Sequence, residues 1–442
     1  MKKTIFVTGI KLTVVAAMFA GGTASFAAGD NRGISVAVDE RVARVEQRVI
    51  GWRRDIHQHP ELSGQEARTA ALVAAHLKKL GMEVTTGIGG HGVVGLLKGE
   101  QPGKVVALRA DMDALPIFEA TGLPFASKVI AKHMGKDSPV MHGCGHDAHT
   151  AILMGVAEVM AGMKGQIRGS VKFIFQPAEE GFSQLPEKQG QLWGARAMIA
   201  DGVMDKPKVD AIFGLHISSL IPSGVIGWRS GPTMAGADSV RIHVNGKQTH
   251  GAMPWEGVDP IVTSAQMINA LQTVVSRQLN ITTQPAVLSI GAINGGNREN
   301  IVPESVEMLG TLRTYDEKMR ADAKQRIQLI AQSTAAANGA KAEVSFGPSE
   351  YSVTVNDAAL TAAMVPVLGK VTRTVEIPLV TGSEDFSEFQ KVAPGFFFML
   401  GGKPKDRNVG PNHSPIFDFD EAALAIGVKS LTLLALDYLE ER

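Results

Sequence analysis

Met141-His142-Gly143-Cys144-Gly145-His146-Asp147-Ala148-His149-Thr150 brings one thiol, three imidazoles and one carboxylate into ten residues, with two glycines among them. Glycine lets the backbone turn sharply, so that neighbouring side chains can face one point. Thiolate and imidazole together form a ligand set for zinc or another divalent transition ion. The competing reading is a buried free thiol beside solvated histidines. Cys144 is the only cysteine of the chain, so it has no partner for a disulfide. A helical pattern over 148–163 places the stretch in a loop that opens a helix.

On either side of that helix stand short apolar runs, at 93–97 and 105–108 before it and at 171–175 and 211–215 after it. A helical stretch with Leu72, Leu77 and Leu80, closed by Gly81, precedes them. Apolar runs alternating with helices predict an α/β layer with a mostly parallel sheet, buried on both faces. Asp111 and Asp113 follow the second run, Glu179 and Glu180 follow the third through Gln176-Pro177-Ala178, and His216 ends the fourth. Open α/β sheets bind ligands beyond the carboxyl ends of their strands, so these groups and the Cys144 loop converge on one edge. Adjacent carboxylates at 179 and 180 repel each other. One bound to a cation and one aimed at a water resolves the conflict; the alternative is a solvated acidic loop. His216 taken alone reads as a core histidine.

From about Ala237 the pattern changes. A strand at 239–245, an amphipathic helix at 260–279, strands at 287–293 and 306–313, a helix at 317–337 and a strand at 342–346 give the order βαββαβ, a ferredoxin-like unit. After Gly347 the α/β style resumes, with a strand at 396–400 and a closing helix at 421–439. The expected organisation is a larger α/β domain over 38–234 and 347–442, with a small domain inserted at 235–346.

Lysine plus arginine number 44, as do aspartate plus glutamate, and no basic stripe stands out. Nucleic acid and anionic membrane surfaces are therefore not expected partners. Lys2 and Lys3, an apolar stretch at 5–19 broken by Lys11, and Ser25-Phe26-Ala27 read as a secretory signal over 1–27. That stretch is shorter than the roughly 20 apolar residues a spanning helix needs, and no later segment reads as long enough. The expectation is an exported protein, periplasmic, with an extracellular location as the alternative.

Four landmarks arrive in order: the Cys144 stretch, Gln176-Pro177-Ala178-Glu179-Glu180-Gly181, Gly214-Leu215-His216, and Asn412-His413-Ser414-Pro415. With Arg109-Ala110-Asp111-Met112-Asp113-Ala114-Leu115-Pro116, they resemble the amidohydrolase branch of the aminoacylase and carboxypeptidase-G-type dinuclear metallopeptidases. Hippurate hydrolases and auxin-conjugate amidohydrolases belong to that branch, and the resemblance covers essentially the whole mature chain. It implies two divalent ions (zinc, manganese, cobalt or nickel) held by Cys144, His146, Glu180, His216 and His413. Five side chains serve two ions if one bridges. Cys144 is the candidate bridge, with His146 and His216 completing one site and Glu180 and His413 the other. Without the resemblance, His413 reads as a loop residue.

The resemblance further implies that the larger domain is the catalytic, metal-binding one and that the domain at 235–346 is a lid and dimerisation domain. It also implies Glu179 as catalytic base, and His250 as a lid histidine that reaches the partner's active site in a homodimer built through the lid. Asn300 and Arg313 match lid residues that hold the substrate's carboxylate or scissile carbonyl. Two departures stand out. Trp255 follows Met253-Pro254 where many relatives have histidine, and an extra loop between Phe125 and Val140 carries Lys128, Lys132, His133 and Lys136.

Among the remaining polar groups, Asp113 is expected to orient a ligating imidazole and Asp111 to cap the turn. His142 and His149 read as structural or helper residues. Glu384 and Asp385 read as a helix start near the site. The activity so implied is hydrolysis of N-acyl amino acids or related small peptide-like amides, releasing a carboxylic acid and an amino acid. A metallo-carboxypeptidase or dipeptidase is the alternative enzyme. A non-catalytic periplasmic metal- or ligand-binding protein is the third reading, and Glu179 argues against it, because storage needs no spare base beside the ligands.

Overall fold

The computed structural model describes residues 27–181 and 191–441. The leader reading of 1–27 lies, but for Ala27, outside the described residues.

In chain order, helices α1 (Ala27–Gln58) and α2 (Ala67–Lys79) precede strands β1 (Glu83–Ile88), β2 (Gly92–Lys98) and β3 (Gln101–Asp111). Helix α3 (His146–Ala161) leads to β4 (Arg168–Gln176), β5 (Ala211–Pro222) and β6 (Val225–Trp228). A second unit follows: β7 (Gly236–Asn245), α4 (Pro260–Thr273), β8 (Ala286–Gly295), β9 (Ser305–Thr314), α5 (Glu317–Ala337) and β10 (Lys341–Tyr351). The chain then returns with β11 (Arg373–Glu376), β12 (Gly395–Lys403) and α6 (Ala422–Glu441).

The eight-stranded sheet has the order β1-β2-β4-β3-β5-β12-β6-β11. Its central strands β4, β3, β5 and β12 run parallel, and antiparallel pairings are confined to β1 with β2, β2 with β4 and β12 with β6. This is the mostly parallel sheet expected. Its strands read as continuous apolar runs because both faces are covered. On one face lie α1, α3 and α6, which pack on one another. On the other lies a cluster that includes Met198, Phe386 and Phe389. Helix α1 turns Val38, Val42, Val45, Val49 and Ile56 inward, all essentially buried. That spacing follows the helical period, and each such side chain contributes about 1.5–3 kcal/mol by leaving water. By length and composition α6 could cross a membrane, contrary to the expectation that no later segment is long enough. Yet 72% of its apolar window is buried inside the protein, where it serves as a core helix.

The second unit forms a four-stranded antiparallel sheet, β8-β9-β7-β10, covered on one side by α4 and α5 around its own core. It is the βαββαβ arrangement expected of the inserted unit. In β7 the alternation is plain: Val240, Ile242 and Val244 are buried while the residues between them are not. Two local readings change. The helix expected over 260–279 ends at Thr273, and Val274–Gln278 continue it as a wider π turn. The extra stretch before the Cys144 loop is a hairpin rather than a loop, pairing Ile130–His133 with Lys136–Pro139. Its turn residues Met134 and Gly135 both have positive φ, 49° and 77°, the backbone that a two-residue hairpin requires.

Candidate metal centre

The edge formed by the carboxyl ends of β3, β4 and β5 gathers most of the candidate residues. Gly145, at φ 101°, starts α3, and a Cβ there would lie 2.3 Å from Ile217 Cγ2. Only glycine fits that turn, which faces Cys144 and His146 the same way. Cys144 Sγ lies 3.3 Å from His216 Nε2 and 3.2 Å from His413 Nε2. The five donors fall into two overlapping groups, Cys144-His146-His216 and Cys144-Glu180-His413, with the ligand atoms of each within 4.8 Å of one another. Cys144 belongs to both.

Two of the three imidazoles have their second nitrogen tied back. His146 Nδ1–H donates to the Asp113 carbonyl at 2.9 Å, with the Asp113 carboxylate at 3.3 Å. His216 Nδ1–H donates to the Ile217 carbonyl at 2.7 Å. Those bonds leave each Nε2 with its lone pair toward the thiol. Among the described residues His146 Nε2 and Glu180 Oε1 are buried atoms without a well-formed hydrogen bond, although Glu180 Oε1 faces His413 Nε2 at 3.3 Å. A buried acceptor left empty costs about 1–3 kcal/mol, and a cation among these donors removes that cost. The residues present therefore fit two divalent ions, with Cys144 within reach of both donor groups.

Proton affinities follow from the crowding. Burial would lower His146, but the Asp111 carboxylate and Cys144 outweigh it and raise it well above its ordinary value. His413 is pushed up to about 10 by its bonds to Cys144 and Glu180. Burial, then His149, hold His216 well below its ordinary value, so it is neutral. A cation at His146 or His413 takes the place of a proton.

The turn that carries Glu179 is strained. Ala178 has φ 53° and His413 has φ 68°, the left-handed region that residues other than glycine rarely enter. Each costs on the order of 1–3 kcal/mol and persists only where its surroundings insist. His413 is held by its N–H to the Gly143 carbonyl at 2.7 Å, and Asn412 Nδ2 donates to the Cys144 carbonyl at 2.8 Å. Glu179 itself is buried beside Glu384 and Asp385. Burial first, and then Glu384, Glu180 and Asp385, raise its carboxyl well above the usual range.

Arg109 answers that negative charge. Wholly buried, it donates to Gln176, Asp111, Glu384 and Asp385 at 2.7–2.9 Å. Nothing in the motif singled it out, although an arginine inside a strand buried on both faces is itself a signal. Asp111 does not cap the turn: its two oxygens accept from His149 Nδ1 at 2.6 Å and Arg109 Nη1 at 2.7 Å. His149 Nε2 accepts from the Ile217 N–H at 2.8 Å, so both of its nitrogens are engaged and it is not available to a metal. Nor does Asp385 cap the short helix Phe386–Gln390. Its carboxylate takes bonds from Gln176, Arg109 and Ala195 instead. Behind the loop, Asp147 accepts from Arg53 and His57, and His57 also meets Glu119. His142 is buried next to them, and neither of its nitrogens has a partner among the described residues.

The lid candidates are placed differently. Gly251 N–H donates to the Asn300 carbonyl at 2.8 Å, and His250 pairs with Ile301, so His250 and Asn300 are brought together. A Cβ at Gly251 would strike the Asn300 backbone at 2.9 Å. His250 Nδ1 accepts from the Ala252 N–H at 3.0 Å, which puts the ring proton on Nε2. Both residues are exposed, and among the described residues no hydrogen bond or ion pair joins them to the five donors. Arg313 does reach the larger layer, through Nη1 to Ser383 Oγ at 2.8 Å. Trp255 is 73% exposed.

Residues 107–437 match the sequence pattern of Peptidase family M20/M25/M40. The chain is 43% identical over 399 residues to thermostable carboxypeptidase 2 of Saccharolobus solfataricus, covering 90% of this chain and 97% of that protein. It is 38% identical over 386 residues to N-acetyl-L-cysteine deacetylase of Bacillus subtilis, with 87% and 86% covered. The crystal structure of the Bacillus subtilis YXEP protein, described as a dinuclear metal binding peptidase, aligns with a TM-score of 0.75 at 34% identity, over 90% of this chain and all of that one.

Proposed function

We infer the roles of these residues from one premise: the chain belongs to Peptidase family M20/M25/M40. It is a metal-dependent amidohydrolase that uses two divalent ions to cleave the amide bond of N-acyl amino acids or related small peptide-like amides. The observation that carries the assignment of roles is the thiol of Cys144 common to two donor groups, with the buried Glu179 beside His146 and Glu180.

His146 and His216 would hold one ion and Glu180 and His413 the other, with Cys144 available to both. Ions bound there would supply Lewis-acid polarisation of the scissile carbonyl and lower the pKa of the attacking water. The rest of the chemistry belongs to the chain. Glu179 takes the water's proton on its carboxylate and hands it to the leaving nitrogen, work that contributes about 10²–10⁴ in rate. Its crowded, buried setting makes the ionised carboxylate a strong proton acceptor. Asp113 fixes the tautomer of His146. His250 offers its Nε2–H to the developing oxyanion, and Asn300 and the Arg313 fork orient the substrate's carboxylate or carbonyl.

A carboxypeptidase or dipeptidase reading draws on the likeness to a thermostable carboxypeptidase. A panel of N-acetyl amino acids, N-benzoyl amino acids and dipeptides, tested on manganese- and zinc-reconstituted protein, separates the two. N-acyl amino acids should have the higher kcat/KM. Faster turnover of dipeptides with free amino termini would favour the alternative, and no turnover of any would contradict both.

The same reading makes the protein an exported homodimer. Ile261, Val262, Val287 and Ile293 are exposed on the four-stranded unit, 43–51% each, and β8 is its edge strand. Mixing His250→Ala protomers with Glu179→Gln protomers should restore activity if the histidine acts across the dimer; verified mixed dimers without activity would refute it. N-terminal sequencing of protein from a periplasmic extract should begin near Ala28.

A further inference from the structure

Strand β4 ends at Gln176, and the turn beyond it is gripped at three successive residues. The Ala178 N–H donates to Glu66 Oε1 at 2.8 Å. The Glu179 carbonyl accepts from the Tyr351 hydroxyl at 2.8 Å. The Glu180 N–H donates to Asp113 Oδ2 at 2.9 Å. The three side chains come from distant stretches: Glu66 stands just before α2, Asp113 beyond the end of β3, and Tyr351 is the last residue of β10. Ala178, at φ 53°, occupies a backbone conformation it would leave if released. The shape of the turn is therefore imposed by its neighbours.

Tyr351 differs from the other two because it belongs to the four-stranded sheet. It pairs with Ala237 in β7, so the two passages of chain between the sheets run side by side. Just beyond, Thr354 pairs with Met234. The Tyr351 ring packs edge-on against Trp193, with centroids 5.3 Å apart. Any rotation of the four-stranded unit about those passages moves the Tyr351 hydroxyl relative to the Glu179 carbonyl.

We propose that Glu66 and Tyr351 are positioning residues that clamp the backbone around Glu179, and that Tyr351 couples the orientation of the lid to that carboxylate. The inference rests on the reading of Glu179 as the base. Glu66 needs no charge for this work. Burial, then Asp113, push its carboxyl up to about 8, and Oε1 also accepts from the Gly64 N–H at 2.7 Å. An amide oxygen can accept both bonds, so glutamine is the close mimic.

The test uses full-length, metal-reconstituted Tyr351→Phe, Glu66→Ala, Glu66→Gln and Glu179→Gln proteins. For each, kcat is expressed per dinuclear site counted by metal analysis, and amide hydrogen exchange is followed in the 176–181 peptide. Tyr351→Phe should lower kcat about tenfold, the effect of one net hydrogen bond, with KM within about twofold. Glu66→Ala should lower kcat at least as much, and Glu66→Gln should recover most of that loss. Both damaged variants should keep two ions and exchange faster at 176–181. Parental kcat and exchange in Tyr351→Phe and Glu66→Ala, beside a Glu179→Gln protein that has lost turnover, overturn the clamp and leave the base reading intact. A Glu179→Gln protein with parental turnover overturns both. Should Glu66→Ala fail to fold, Tyr351→Phe, which keeps the ring packing, decides the matter alone.

Discussion

The donors around Cys144 and the candidate groups on the four-stranded lid differ in how much of their surroundings is already in place. His146 and Glu179 are buried, and the backbone next to Glu179 and at His413 is held in the left-handed region by hydrogen bonds from distant segments. His250 and Asn300 are exposed, and among the described residues they hydrogen-bond to backbone of the four-stranded unit. The α/β layer therefore carries candidate groups already fixed by their surroundings, whereas on the proposed reading the exposed groups of the four-stranded unit meet their partners only with substrate or a second subunit. Stored strain and buried charge belong to the first kind of site, and freedom to move belongs to the second.

That contrast can be broken most sharply at Glu179. Glu179→Gln should lose about 10²–10⁴ in kcat while metal content and unfolding midpoint stay near parental; comparable turnover in the variant would remove the base from those fixed groups. Next comes Arg109, the counter-charge to Asp111, Glu384 and Asp385. Arg109→Leu leaves those carboxylates uncompensated and should cost about 3–5 kcal/mol in urea unfolding; a loss below about 1 kcal/mol would show that the layer tolerates naked charge. On the lid side, His250→Ala should lower kcat by the equivalent of about 2.7–4 kcal/mol with stability unchanged. If stability falls and kcat does not, the residue is structural and the contrast fails there.

The smallest effect is graded by pH. In the metal-free protein His413 is pushed up to about 10 and His146 is also raised, so both hold protons near neutrality that a cation must displace. Each proton that zinc displaces is released more readily at higher pH, so zinc should bind more tightly by about tenfold or more per unit between about pH 6 and pH 8. A competition titration against a chromophoric chelator measures this; a flat profile would exclude those imidazoles as ligands.

Much of this was readable from residue order. Doubly covered strands such as β3 and β4 leave apolar runs, and the half-covered strand β7 leaves an alternation, because each pattern is dictated locally by what the strand touches. The ligand set was half readable: Cys144 and His146 stand together and Glu180 and His216 follow strand ends, but His413 rested on resemblance alone. The hairpin at Ile130–Pro139 escaped because its turn is Met134-Gly135 rather than the usual asparagine-glycine. Glu66 and Tyr351 escaped for a different reason. Their bonds to the turn span 112 and 172 residues of chain, and no local pattern records such a contact.

Anomalous diffraction from crystals grown with manganese or zinc tests the central claim most directly. Two peaks should appear, both bonded to Cys144 Sγ, one also to His146 and His216 and the other to Glu180 and His413. A single peak, or a pair that leaves the sulfur untouched, would contradict the account.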